Sequence, residues 1–139
     1  MLMYESFLDF FNKKSNLYIK LAESFVKLFN SIYNNINCSY VKKGNLISIN
    51  SRNVRLLTIE PYKIITMGLQ FIKITLYQSN LNEYNDIVNF IYNTFDKDII
   101  INYIYFDISE SDIPHYIGKL NKENYDDYII NLSANKYNL

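Results

Sequence analysis

The 139-residue sequence has little of what staples, hinges or interrupts a chain: one cysteine, three glycines, two prolines and no tryptophan. Cys38 alone cannot form an intramolecular disulfide or a cysteine-based metal cluster. So few glycines and prolines leave little material for linkers or for a loop that cradles a phosphate. Because disulfides belong to oxidising compartments, we expect a cytoplasmic protein.

Long apolar runs are also missing. No stretch reaches the roughly 18 uncharged apolar residues of a spanning helix. The first residues, Met1 to Glu5, include no basic segment leading into an apolar one. We therefore expect neither a membrane span nor a secretory signal.

Isoleucine, asparagine, tyrosine and lysine dominate instead, with 21, 20, 14 and 12 copies against two alanines. The codons of these four residues are AT-rich, which indicates an AT-rich genome such as that of a phage, plasmid or virus. A hydrophobic fraction of 49% favours a folded chain, and the length predicts one domain over residues 1–139.

Apolar periodicity predicts an α+β fold: a long N-terminal helix, a central, mostly antiparallel sheet of four to five strands, a second helix and short C-terminal helices. The stripe Tyr18, Ala22, Phe25, Phe29, Ile32 and Ile36 predicts helix over residues 4–36, as one helix or as two if Ser15 caps the second. This broad stripe must pack on a sheet or on a partner, so a homodimer through the helix is one expectation.

Alternating residues predict the sheet, and caps predict the later helices. Strands are expected at 46–49, 54–59, 62–66, 69–77 and 98–108, with a turn at Met67-Gly68. Helices are expected at 80–95, with Asn80 and Glu83 as a capping box, after Pro114, and at 123–132. In the last helix, the residues expected to face inward are Tyr125, Tyr128, Ile129 and Leu132.

Charge is zero overall but unevenly distributed: +1 over residues 1–40, +5 over 41–80 and −6 over 81–139. This asymmetry is typical of an interaction surface. It is equally typical of two halves that pack together and neutralise each other. The sequence leaves both interpretations open.

Two charged sets are therefore candidate binding surfaces. Cations interleaved with aromatic residues on a sheet can bind phosphates and stack on bases. The basic and aromatic set comprises Lys42, Lys43, Arg52, Arg55, Lys63, Phe71, Lys73 and Tyr77. The acidic set comprises Asp107, Glu110, Asp112, Asp126 and Asp127.

One hairpin resembles the core of WYL domains. The stretch from Arg55 to Pro61, followed by Gly68 and Phe71-Ile72-Lys73, has a strand ending in proline before an aromatic-led triplet. The resemblance implies a small Sm-like barrel that senses ligands or nucleic acid. The triplet is not Trp-Tyr-Leu, however, and 81–90 contains no match to the family's arginine motif, so we do not assign the chain to that family.

Catalytic chemistry has little support. His115 could act as a general base with Asp112 or Glu110, and Cys38 or a serine as a nucleophile, but none lies in a recognisable triad context. A surface histidine and a small buried thiol are the simpler interpretations. The acidic loop 107–112 fits no EF-hand spacing and is interpreted as solvated. We expect no catalytic residue, metal or cofactor.

The function predicted from these features is that of a small, non-enzymatic interaction factor. It would act as an inhibitor, immunity or accessory protein by stoichiometric binding to another protein. The alternative is a nucleic-acid or nucleotide-binding module that uses the basic, aromatic sheet, although a pI near 6.6 is unlike a dedicated nucleic-acid binder.

Overall fold

The computed structural model describes residues 2–33, 36–64, 69–79, 81–82, 84–97 and 105–137, with side chains described in 17–33, 36–61, 70–79, 81–82, 84–97 and 105–135. The elements in chain order are helix α1 (Leu2–Ile32), strands β1 (Cys38–Lys43), β2 (Leu46–Ser51), β3 (Val54–Ile64) and β4 (Leu69–Leu76), helix α2 (Tyr84–Thr94), strand β5 (Tyr105–Ser109), a 3₁₀ turn (Glu110–Asp112), and helices α3 (Ile113–Ile117) and α4 (Lys122–Tyr137).

The five strands form one antiparallel sheet in the order β1-β2-β3-β4-β5, so each strand pairs with its neighbour in sequence. An N-terminal helix, this sheet and further helices confirm the predicted α+β class. The β3–β4 hairpin that resembles WYL domains is present. Within the described residues, β1 and β5 are the two edges of an open meander and do not pair to close a barrel.

The helices cover one face of the sheet. Apolar and polar side chains alternate along the strands, and the apolar ones point to this face. Ile72, Ile74 and Leu76 of β4 are buried there, as their alternation predicts. Their cross-strand partners Ile59 and Phe106 are buried beside them. We call this the covered face. The helical residues buried over it include Leu21, Phe25 and Phe29 of α1, Ile87 and Ile91 of α2, and Ile113 of α3.

Helix α1 is continuous, so the division at Ser15 is wrong. No glycine or proline interrupts the sequence around that serine, and serine costs only a few tenths of a kcal/mol more than good helix formers. The end of α1 is tied to β1 by Asn30. Its Nδ2 donates to the Cys38 carbonyl at 3.1 Å, and its Oδ1 accepts from the Cys38 amide at 2.8 Å.

The second correction concerns β3, which runs through Pro61 where two strands were predicted. Pro61 has no N–H, so it is tolerated where a strand lacks one neighbour. Pairing between β2 and β3 ends at Ile59, and Pro61 pairs with Ile72 of β4. The edge strand β1 was not predicted.

The C-terminal helices confirm the prediction in part. Pro114 lies in the first turn of α3, and Tyr125 is buried, while Tyr128 and Ile129 are partly buried. Leu132 is 43% exposed, so its predicted inward position is wrong. The predicted capping box at Asn80 and Glu83, the turn at Met67-Gly68 and the strand residues 98–104 lie outside the described residues.

Candidate functional site

The opposite face of the sheet, which we call the open face, carries the other half of the strand alternation. Cross-strand partners in an antiparallel pair share a face. Its described members, found by following the register, include Val41, Lys43, Ser48, Asn50, Arg55, Thr58, Glu60, Phe71, Lys73, Thr75, Tyr77, Tyr105 and Asp107. It is thus a polar and aromatic surface, with Val41 and Tyr105 exposed by 45% and 39%.

The structure brings only part of the basic and aromatic set together. Five members lie on the open face: Lys43, Arg55, Phe71, Lys73 and Tyr77. Lys42 pairs with the buried Ile47, so it belongs to the other face of β1. Arg52 lies in the turn between β2 and β3. Lys63 lies in β3 opposite Gln70, but its side chain is outside the described set.

The cations of the open face lie over tyrosine rings. The Arg55 guanidinium is 5.7 Å from the centre of the Tyr77 ring, and Lys73 Nζ is 4.6 Å from that of Tyr105. Such contacts are attractive because the ring face is electronegative. A nucleobase would have to displace these cations to stack on the same ring faces.

The open face also carries acidic residues, so it is not a purely basic surface. Glu60 of β3 and Asp107 of β5 flank Lys73 in one row of the sheet. These residues and Tyr105 line a hollow of about 330 Å³. Asp107 Oδ1 is buried there and accepts no hydrogen bond within the described part of the chain. The basic middle and the acidic end therefore meet at β4 and β5, although Lys73 and Asp107 form no ion pair in the described structure.

The rest of the acidic set is distributed over other elements. Tyr18 Oη of α1 donates to Glu110 Oε2 at 2.6 Å, and burial, followed by this hydrogen bond, raises the pKa of Tyr18 well above its ordinary value of 10.0. Asp112 is exposed in the 3₁₀ turn. Asp126 pairs with Lys122 across 3.4 Å on exposed α4, and Asp127 lies on the same helix.

A cleft of about 740 Å³ lies beyond the end of the sheet, and sequence reasoning identified only Arg52 among its lining residues. Its described lining combines apolar Ile36, Val54, Leu56 and Leu81 with polar Ser51, Arg52, Gln78 and Ser79. These residues come from segments distant in sequence, so no local pattern unites them. The short turn between two strands was the available signal, because such turns usually take glycine or asparagine where Arg52 stands.

Cys38 and His115 do not come together as nucleophile and base in the described structure. Cys38 is buried on the covered face, and burial raises the pKa of its thiol from 9.0 to about 11. Near neutral pH this thiol is therefore protonated and a poor nucleophile. His115 is exposed on α3, and its Nε2 lies 3.2 Å from Lys119 Nζ. His115 is thus a surface histidine and Cys38 a small buried thiol, as the simpler interpretations predict.

The described residues also lack two further kinds of site. They contain no group of three or more histidine, cysteine, aspartate or glutamate side chains arranged to hold a metal ion. None of the helices they form has both the length and the apolar character needed to cross a bilayer.

No family model matches the sequence, and no curated protein or solved structure shows significant similarity to it.

Proposed function

We propose that this protein acts by stoichiometric binding to another protein, as an inhibitor, immunity or accessory factor, and that the open face is its binding surface. The observation that carries the proposal is the composition of this face. Exposed Val41 and Tyr105 lie among cations and carboxylates on an antiparallel sheet. Tyrosine and arginine are enriched in protein interfaces because they combine large contact area with hydrogen bonding.

The mixed charge of the open face favours a protein partner over nucleic acid. A nucleic-acid surface draws its affinity from cations that neutralise phosphates. Here Glu60 and Asp107 flank Lys73, and the rings of Tyr77 and Tyr105 already contact cations. A protein surface of alternating sign can pair with both charges.

The test is affinity capture from the native host with the wild type and with single variants at exposed positions. Val41→Ser and Tyr105→Ala should each lose the captured protein, because they remove apolar contact area from the open face. Ile130→Ser is the matched control, since Ile130 is 64% exposed on α4, away from the sheet. The recovered pair should reassemble from purified components at a fixed stoichiometry, measured by analytical ultracentrifugation.

Three results would contradict this proposal. The captured protein could remain bound to Val41→Ser and Tyr105→Ala, which would place the interface elsewhere. Binding to RNA or DNA that weakens steeply with salt and with Arg52→Ala and Arg55→Ala would favour the nucleic-acid alternative. Turnover of a substrate without a recoverable partner would indicate an enzyme.

The predicted homodimer through α1 would need apolar side chains that the chain does not already bury in its own core. The stripe residues Ala22, Phe25 and Phe29, and Leu21 and Leu28 beside them on α1, are buried within the chain's own core. These five side chains are therefore not available as a dimer seam. Sedimentation of the purified protein alone would test whether any other part of the chain forms a dimer.

A further inference from the structure

The described lining of the cleft of about 740 Å³ at the end of the sheet is half apolar and half polar. Leu56 is fully buried, while Val54 is 49% exposed and Leu81 is partly buried. A cleft of this volume is within the range of roughly 300–1,000 Å³ that holds small organic ligands. Its apolar residues would bury an aliphatic or aromatic group.

One polar residue of the lining is charged. Arg52 is a cation, the lining residues Gln78 and Ser79 are neutral, and the described lining contains no carboxylate. An arginine guanidinium binds a carboxylate through two parallel hydrogen bonds, and charge makes these bonds stronger than neutral ones. The charge of the cleft is therefore complementary to a ligand with a single negative group.

The backbone at Arg52 is unusual. Its φ is 55°, in the left-handed region that disfavours residues with a Cβ. Asp96 shares this conformation at φ 54°, but it follows the end of α2, where the Lys97 amide donates to the Tyr92 carbonyl and such a conformation is common. Arg52 lies in the two-residue turn between β2 and β3, and hairpin turns of this length require a residue with positive φ. The turn therefore holds Arg52 in the lining of the cleft.

The floor of the cleft is held in place by the neighbouring structure. The Leu56 carbonyl accepts hydrogen bonds from the Tyr77 amide at 3.0 Å and from Tyr84 Oη at 2.8 Å. The register between β2 and β3 shifts at Ile49 and Asn50, just before the turn. Such bulges redirect side chains, often beside functional sites.

We propose that this cleft binds a mainly apolar ligand through its carboxylate, with the Arg52 guanidinium on the carboxylate and Val54, Leu56 and Leu81 around the apolar part. The carboxylate could belong to a small monocarboxylic acid or to the C-terminus of a peptide. The site lies at the end of the sheet and outside the open face, so it is independent of the proposed protein interface.

The experiment titrates the purified protein with octanoate and with N-acetyl-dileucine, using calorimetry and backbone amide shifts. Octanamide and the C-terminal amide of the dipeptide are the uncharged controls. At least one acid should bind about tenfold or more tightly than its amide, because only the acid makes a charge-assisted pair. The largest shifts should fall on residues 51–56 and 78–81.

One variant tests the role of Arg52, and a second tests whether the ligand binds in this cleft. Arg52→Gly removes the guanidinium while retaining a residue suited to positive φ, so it should fold and lose about tenfold or more of the affinity. Val54→Asp places a carboxylate at an exposed lining position and should also weaken binding. Lys27→Gln, which removes an exposed cation from α1 outside the cleft lining, should leave the affinity unchanged.

Each outcome decides the proposal. Selective binding of octanoate alone would assign the site to small acids, binding of the dipeptide alone to chain termini, and binding of both to the shared carboxylate chemistry. The proposal is overturned if neither acid binds, if the amides bind as tightly, or if Arg52→Gly retains the wild-type affinity. None of these results depends on whether the open face binds a partner.

Discussion

The two faces of the sheet are built from the same strands but differ in burial and composition. Along β4, Ile72, Ile74 and Leu76 are buried under the helices, while Lys73 and Thr75 lie on the open face. The buried side chains of the covered face are mainly aliphatic and aromatic, because removing apolar surface from water is favourable. The open face carries apolar, polar, basic and acidic groups side by side. Stability therefore depends mainly on the first face, and the second is the face that we propose for recognition.

Not every residue of the open face is exposed. Ser48 and Thr58 belong to the open face and are nevertheless buried. Their hydroxyls meet polar neighbours: Ser48 Oγ donates to Asn50 Oδ1 at 2.9 Å, and Thr58 Oγ1 lies 3.4 Å from Tyr77 Oη. The centre of the open face is thus a polar layer whose groups are paired with one another.

The largest expected effect comes from truncating the covered face. Ile74→Ala removes a fully buried side chain between Ile59 and Phe106, so it should lower the free energy of unfolding by about 2–5 kcal/mol. Thr75→Ala changes the next residue, which is partly buried on the open face, and should cost about 1 kcal/mol or less. Urea unfolding monitored by circular dichroism measures both.

Equal losses in these two variants would show that the open face is packed as tightly as the covered one. That result would also weaken the proposed protein interface, since a face already covered could not receive a partner. The control is the m-value, which should remain the same in both variants if they alter only the native state.

A smaller effect is expected from Tyr84, whose hydroxyl reaches the Leu56 carbonyl from α2. Tyr84→Phe removes one buried hydrogen bond while Leu56 keeps the bond from the Tyr77 amide. The free energy of unfolding should fall by about 1 kcal/mol. The same denaturant titration measures it, and Tyr40→Phe, an edge-strand tyrosine that is partly buried, serves as the matched control.

The pH dependence of Tyr84→Phe gives an independent reading. Burial, with a smaller contribution from the neighbouring Tyr33, raises the pKa of Tyr84 well above 10.0. The folded state therefore holds this proton more tightly than the unfolded state does. The resulting stabilisation is complete below about pH 10 and is lost as the pH rises above it. The variant should lose stability less steeply above pH 10, and identical slopes would show that Tyr84 ionises freely.

The covered face was the more predictable of the two, because burial imposes a period of two on β4 and a helical period on α1. The edge strand β1 was not predicted because little of it is buried. It has one neighbour, and Ser39, Lys42 and Lys43 are exposed, so its alternation is weak. The continuity of β3 through Pro61 depends on where β2 stops, which no local pattern records.

The candidate surfaces were less predictable. Strand geometry separates Lys42 from Lys43, since adjacent residues point to opposite faces, but this follows only once β1 is known to be a strand. The juxtaposition of Lys73 with Glu60 and Asp107 depends on register across three strands. The cleft depends on the turn conformation of Arg52 and on chain segments that meet only after folding.

The smallest expected effect concerns Asp107, where the open face is least well satisfied. Its buried Oδ1 lacks a hydrogen-bond donor in the described structure, and Lys73 lies over Tyr105 instead of pairing with it. Burying an unpaired carboxylate oxygen is unfavourable, while the nearby positive charge of Lys73 partly offsets that cost. Asp107→Asn removes both the cost of burying the charge and its attraction to Lys73. The free energy of unfolding should therefore change by only about 0.5 kcal/mol or less.

A loss of about 2 kcal/mol or more in Asp107→Asn would show that the carboxylate is firmly paired within the chain. The open face would then be neutralised internally at this point. A negligible change leaves Asp107 as an acceptor that folding does not require. In that case Asp107→Asn should weaken capture of the protein partner more than it weakens the fold. This comparison separates the two interpretations of a basic middle beside an acidic end: internal complementarity or an interaction surface.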